Sequence, residues 1–255
     1  MAIFTKELLH LNRKMQIVLL VVFLATVISV FFLWRYMELK SLGQNAAYKA
    51  PMHIYTQAEK LMVRGKFDRA LKRYEEAERM LRQIPDIDLS EDFYYAIVSN
   101  AIGTVHLRIG IYGDGNNENK IKSRADLAKD RASIILSQSY FDTSISTYRK
   151  WLKSHRPGPE KIAALQKSRE GVAEDKIELE PFERYERALS VSLTNRGMAL
   201  RYLDDIAGAT ACYEEALSLW ADNKTASANL KSMREVISEE ESESKQKTLD
   251  RQSRN

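Results

Sequence analysis

The sequence is poor in cysteine and in the residues that break helices. Its 255 residues include five prolines, ten glycines and a single cysteine, Cys212. One cysteine excludes an intramolecular disulfide, and a free cysteine most often serves as a small buried hydrophobe. Scarce proline and glycine, together with 29% charged residues, favour helices over strands. The net charge of +4 is spread along the chain, so it does not predict a nucleic-acid-binding face.

The sequence also lacks the common catalytic and metal-binding motifs. It has no GxxxxGK[ST] phosphate loop, no GxSxG nucleophile motif and no HExxH zinc motif. Its four histidines are not paired at ligand spacing, and one cysteine cannot complete a zinc site with them. We therefore predict no catalytic residue, no metal, no cofactor and no small-molecule substrate.

One long apolar run stands near the N-terminus. Residues 17–34 read IVLLVVFLATVISVFFLW, without a charge. About 20 apolar residues span a bilayer as a helix, whereas the apolar region of a signal peptide has about 7–15. We predict an uncleaved transmembrane helix over residues 16–36, after an interfacial segment over 1–15 and before a linker over 37–50.

Basic residues flank this predicted span almost equally. Lys6, Arg13 and Lys14 precede it, and the residues that follow it include Arg35, Lys40 and Lys49. The positive-inside rule therefore leaves the orientation open. Since a long domain can be translocated whatever its charge, we expect a single-pass protein of a bacterial inner membrane with its C-terminal domain in the periplasm.

Three later stretches share one spacing. In each, a large apolar residue is followed three residues later by a small one, four further by an aromatic one, and three further by an apolar one. Such i+3 and i+4 steps keep all four side chains on one helical face. The stretches are 67–77, 141–151 and 206–216.

A candidate partner helix precedes each stretch. The partners read Ile54-x-x-x-Ala58-x-x-Leu61, Ala128-x-x-x-Ala132-x-x-Ile135 and Leu193-x-x-x-Gly197-x-x-Leu200. Residues 99–110, with Gly103 in the small position, form a further candidate, so 92–152 is interpreted as one unit opened by a loop. We also expect a polar helix over 160–174, a helix starting at Pro181 and a capping helix over 223–237.

This pattern resembles the tetratricopeptide repeat (TPR), in which two antiparallel helices, A and B, pack through small and aromatic residues. The resemblance implies an all-α, TPR-like helical-repeat domain over residues 51–237, followed by a disordered charged tail over 238–255. In that family the A helices line a groove that takes an extended peptide or a partner helix. Carried over by position, the groove residues are Met52, Tyr55, Glu59, Met62, Val191, Thr194, Met198 and Arg201. The alternative for each of them is packing between repeats.

The function implied by these features is a membrane-anchored scaffold. It would bind protein partners associated with the membrane and support assembly or recruitment of a complex. It would contact the lipid bilayer through residues 16–36 and would not bind nucleic acid.

Two other functions stay open. One is a structural or accessory subunit of a membrane complex. Residues 92–150, with Asn100-x-x-Gly103 and His106-Leu107-Arg108, loosely resemble the MxaK-type accessory proteins, which are associated with MoxR-type ATPases and von Willebrand A-domain proteins in metalloenzyme maturation. The other is a membrane-bound enzyme whose groups lie outside the known motifs.

Overall fold

The computed structural model describes residues 46–113, 131–173, 176–235 and 238. The predicted interfacial segment, the transmembrane helix, most of the linker and nearly all of the charged tail lie outside these residues. The chain forms two compact units, Met1–Lys49 and Ala50–Asn255, and the α-helices below belong to the second apart from the first residue of α1. No helix in the described ranges combines the length and apolarity needed to cross a bilayer.

The described residues form helices and no strand, so the prediction of an all-α fold is confirmed. A 3-10 turn, Ala46–Tyr48, precedes the first α-helix. The α-helices are α1 (Lys49–Val63), α2 (Phe67–Arg82), α3 (Phe93–Tyr112), α4 (Arg131–His155), α5 (Pro159–Ser168), α6 (Pro181–Tyr202), α7 (Ile206–Leu219) and α8 (224–235).

Local sequence sets the starts of several helices. The Asp92 side chain accepts a hydrogen bond from the Tyr95 amide at the start of α3, and Asp205 does the same for Gly208 at the start of α7. Glu180 and Glu183 form a reciprocal capping box around Pro181, which confirms the predicted helix start there. Each cap provides a partner for a backbone amide that the helix itself leaves unpaired.

Consecutive helices pack antiparallel. A β-carbon at Gly103 of α3 would lie 2.7 Å from Phe141 of α4, and one at Gly110 would lie 2.5 Å from Ile134. Since the contact moves backward along α4 as it moves forward along α3, the two helices run in opposite directions. The same reversal relates α6 to α7 and α4 to α6.

Alternate helices consequently run parallel. Asn195 of α6 contacts Asn100 of α3. Tyr185, near the start of α6, donates a hydrogen bond to the carbonyl of Glu91, just before the start of α3. Asn223 and Ser232 at the two ends of α8 likewise contact Ser190 and Arg201 of α6 in the same order. The helices therefore form an array in which each pair lies against the next.

The seam of α2 is buried as its pattern predicts. Phe67, Ala70, Tyr74 and Ala77 are at most 5% exposed, whereas Lys66, Arg69, Lys72 and Glu75 face solvent. In α7, Ala209, Tyr213 and Ala216 have no exposed surface. These residues pack the first and third helix pairs, as expected.

The expected register of the second pair is wrong. Ala132 and Ile135 do not belong to a separate partner helix: both are exposed residues of α4 itself, and the partner of α4 is α3. Gly103 meets Phe141 in the way that Gly197 meets Tyr213, whereas the sequence alignment puts Tyr148 in that place. The aromatic residue therefore comes seven residues earlier than expected, with Ser137 and Ser144 as its fully buried small neighbours. Seven residues are close to two helical turns, so both registers place similar residues on one face.

Candidate partner-binding surface

Two of the predicted groove residues of α1, Tyr55 and Glu59, are joined by a hydrogen bond. The Tyr55 hydroxyl donates to Oε1 of Glu59 over 3.0 Å, and the Tyr74 hydroxyl of α2 donates to the same atom over 3.1 Å. The two tyrosine rings lie 5.4 Å apart between centroids. Two predicted groove residues thus form a unit with a residue that the sequence assigns to packing alone.

The environment keeps both phenols protonated. Burial raises the pKa of Tyr55 and of Tyr74 far above the ordinary value, and the negative charge of Glu59 raises both pKa values further. The positive charge of Arg108 of α3 lowers the pKa of Tyr74, against these two effects. At neutral pH both hydroxyls therefore remain donors to Glu59, whose second oxygen has no hydrogen-bond partner in the described part of the chain.

The predicted residues of α6 do not share one environment. Val191 is 39% exposed, and Met198 and Arg201 are half-buried. Thr194 is only 2% exposed; its hydroxyl donates to the Ser190 carbonyl and accepts from Asn223. Thr194 therefore helps to hold the start of α8 against α6, and it offers almost no surface to a partner.

The remaining predicted residues, Met52 and Met62, are half-buried on α1. Methionine is flexible and polarisable, which suits a surface that adapts to an apolar partner. The structure thus leaves Met52, Met62, Val191, Met198 and Arg201 at least partly accessible.

Sequence reasoning missed a polar cluster on α3 and α6. The side-chain amide of Asn195 donates to Asn100 over 3.0 Å and lies 3.3 Å from the Thr104 hydroxyl. All three side chains are half-buried. Asn100 and Thr104 stand at the same offsets from Gly103 as Tyr55 and Glu59 do from Ala58, and this offset is the signal that could have found them.

The described residues offer no obvious place for a metal. They contain no cluster of three or more histidine, cysteine or carboxylate groups suited to a cation. Cys212 is 4% exposed, as a small buried hydrophobe would be. Burial raises the pKa of its thiol, although the guanidinium of Arg196, 3.2 Å from Sγ, acts against that shift.

The described helices form an all-α array of antiparallel pairs, and α1, α3 and α6 each carry partly accessible polar or apolar side chains. Comparison of the chain with protein-family models, with curated proteins and with solved structures finds no match in any of the three.

Proposed function

We propose that this protein is a membrane-anchored, TPR-like scaffold that binds partner proteins on the exposed sides of α1, α3 and α6. In this interpretation α1–α2, α3–α4 and α6–α7 are three repeats, α8 caps the third, and the predicted helix over 16–36 is the anchor. The partner belongs to a membrane-associated complex. Anchoring both proteins at the membrane raises their effective concentration for each other, so that a moderate affinity of the groove suffices for binding.

One observation carries this proposal: α3 and α6 run parallel, and accessible side chains stand at matching positions of α1 and α6, namely Met52 with Val191 and Glu59 with Met198. Apolar groups are available from Met62 of α1 and Val191 of α6, and polar groups from Glu59 and Asn100. A surface that combines apolar area with a few fixed polar groups suits an extended or helical segment of another protein.

Site-specific photocrosslinking in native membranes tests the proposal. A photoreactive amino acid is placed at Met62 or at Val191 of the full-length chain, and crosslinked proteins are identified by mass spectrometry. Matched controls carry the same group at Ala164 of α5 and Ser218 of α7, two exposed positions on other helices. We expect the same partner from positions 62 and 191 and not from the controls.

Two further variants sharpen this test. Val191→Asp and Glu59→Arg should each lower recovery of the partner through the crosslinker at position 62. Crosslinks that are absent, or equally strong from the control positions, would contradict the groove. A complex that falls apart when the chain is deleted, with crosslinks from all four positions, would favour the alternative of a permanent structural or accessory subunit, including an MxaK-like maturation factor.

A further inference from the structure

The turn between α1 and α2 carries an unusual concentration of positive charge. Residues 60–73, called the basic turn below, contain six basic residues and one acidic residue, Asp68. Their net charge of +5 compares with +4 for all 255 residues. The basic residues are all exposed: Lys60, Arg64, Lys66, Arg69, Lys72 and Arg73.

These cations are not used inside the fold. Arg73 pairs with Glu76 over 2.6 Å, and within the described part of the chain none of the other five forms an ion pair. Val63 lies among them at the end of α1 and is 90% exposed, more than any other large apolar residue described. The basic turn therefore combines one exposed apolar side chain with five exposed cations that form no ion pair within the described residues.

Helix stability explains only part of this charge: Lys60 lies in the last turn of α1, where a cation is favourable, whereas Lys66 lies at a helix start. Lys66 is the N-cap residue of α2, and its side chain makes no capping hydrogen bond. The partial positive charge of a helix N-terminus favours an acidic or polar cap and disfavours lysine. At the matching position of the α6–α7 turn the chain has Asp205, which does cap its helix. The N-cap position is thus occupied by a stabilising residue, Asp205, in the α6–α7 turn and by a destabilising one, Lys66, in the α1–α2 turn.

We propose that the basic turn docks on an anionic lipid surface, with its cations at the phosphates and Val63 inserted among the headgroups. Cations attract anionic lipids over about a Debye length, and an apolar side chain adds affinity once it enters the interface. Nucleic acid would satisfy the cations but would leave Val63 in water, so a lipid surface is favoured. Val63 and the six cations are not among the residues assigned to the partner-binding face, although Met62 of that face lies within the basic turn.

The test reports on the depth of residue 63 in the full-length protein, because the predicted anchor would itself attach the chain to vesicles. Val63→Cys is labelled with an environment-sensitive fluorophore. Cys212 is 4% exposed, and labelling of the wild-type chain measures its background. The control carries the label at Ala221, an exposed residue after α7. Both proteins are reconstituted into vesicles of phosphatidylcholine, alone or mixed with phosphatidylglycerol.

We expect a blue shift at position 63, and quenching by brominated lipids, only in the phosphatidylglycerol vesicles. The signal should disappear in about 1 M NaCl, where the Debye length falls to about 3 Å. Each cation contributes about fivefold to association with an anionic surface, so Lys60→Glu, Arg64→Glu and Lys66→Glu together should lower the docked-to-undocked ratio by at least about 100-fold.

Lys66→Asp separates docking from folding. It should weaken docking while it raises the melting temperature, because it introduces the cap that Asp205 provides in the other turn. Lys161→Asp makes the same change of charge on α5 and should leave docking unchanged. Position 63 behaving like position 221 in anionic vesicles would overturn the proposal. So would a salt-sensitive complex with mixed-sequence duplex DNA that the triple variant abolishes while the lipid signal at position 63 is absent.

Discussion

Tyr74 and Glu59 are joined by a hydrogen bond of 3.1 Å that links the second helix of the first pair to the first helix. The third pair has a tyrosine in the same place, Tyr213, which lies against Gly197. There the residue matching Glu59 is Met198, and the Tyr213 hydroxyl is buried without a hydrogen-bond partner among the described residues. The second pair has Phe141, which carries no hydroxyl. The three pairs therefore share one aromatic packing position. They differ in whether that side chain carries a hydroxyl and in whether the hydroxyl has a hydrogen-bond partner.

Removing the Tyr213 hydroxyl should not destabilise the protein. A buried hydroxyl without a partner loses its hydration at a cost of about 1–3 kcal/mol, so Tyr213→Phe should leave the free energy of unfolding unchanged or raise it by about 1 kcal/mol. Tyr74→Phe removes the same atom but breaks a hydrogen bond to a carboxylate, and it should lower stability by about 1 kcal/mol. Denaturant unfolding of both variants measures the difference. Equal losses in the two variants would show that the two hydroxyls have equivalent surroundings.

Sequence periodicity was sufficient to predict which residues face each other in the first and third helix pairs. It was insufficient for the second pair. Ala58 and Ala70 belong to two helices separated by a short turn, so the order of motifs along the chain gives the pairing directly. Between α3 and α4 the chain has a longer connection, and α4 repeats its small and aromatic residues after seven positions. Because seven residues nearly complete two turns, spacing alone cannot decide between Phe141 and Tyr148. Only the contact with Gly103 decides it.

Gly103 is required by that contact. A β-carbon there would lie 2.7 Å from Cε1 of Phe141 and 3.0 Å from the backbone oxygen of Ser137. Overpacking costs about 1–3 kcal/mol, and the better helix propensity of alanine returns up to about 1 kcal/mol, so Gly103→Ala should lower stability by about 1–2 kcal/mol.

The matched control for this substitution is Gly158→Ala. A β-carbon at Gly158 would meet nothing within 4 Å, so alanine there should cost only the poorer N-cap of α5, less than about 1 kcal/mol. Thermal unfolding of the full-length chain compares the two variants. A loss at Gly158 as large as that at Gly103 would contradict the close approach of α3 and α4.

The polar contacts of the candidate surface could not be predicted from local sequence. Asn195 and Asn100 are 95 residues apart in the chain, and their hydrogen bond depends on how α6 lies on α3. For Thr194 the sequence predicts a role that the structure does not support. Its position in the motif suggests a groove residue, but it is buried and accepts a hydrogen bond from Asn223. Motif position identifies the face of a helix but not what a later helix places against it.

The two turns with matching geometry allow a reciprocal exchange of caps. Lys66→Asp should raise the free energy of unfolding by about 1 kcal/mol, and Asp205→Lys should lower it by about the same amount, because only a side-chain oxygen can accept from the free amides of the helix start. For a domain of this size 1 kcal/mol corresponds to a shift of about 2–4 °C in melting temperature. Opposite shifts in calorimetry are the expected result; shifts of the same sign would contradict the role of capping at these two positions.

Stability should fall at alkaline pH because the buried tyrosines resist ionisation. Burial raises the pKa of Tyr213 from its ordinary 10.0 to about 12, and burial also raises the pKa of Tyr55, Tyr74 and Tyr185. Above pH 10 the unfolded chain loses these protons while the folded chain keeps them, so the unfolded state binds fewer protons and stability decreases as pH rises. Each such phenol contributes up to about 1.4 kcal/mol per pH unit between its unfolded and folded pKa values.

Unfolding followed between about pH 9 and 11, around the ordinary tyrosine pKa of about 10, measures this loss. Stability should be independent of these groups below that pKa and should decline above it, with tyrosinate absorbance appearing together with unfolding. Tyr213→Phe removes one of the phenols and should make the decline shallower, while the value at neutral pH stays the same or rises. A decline of unchanged slope in that variant would show that the Tyr213 hydroxyl ionises as readily in the folded protein as in the unfolded chain.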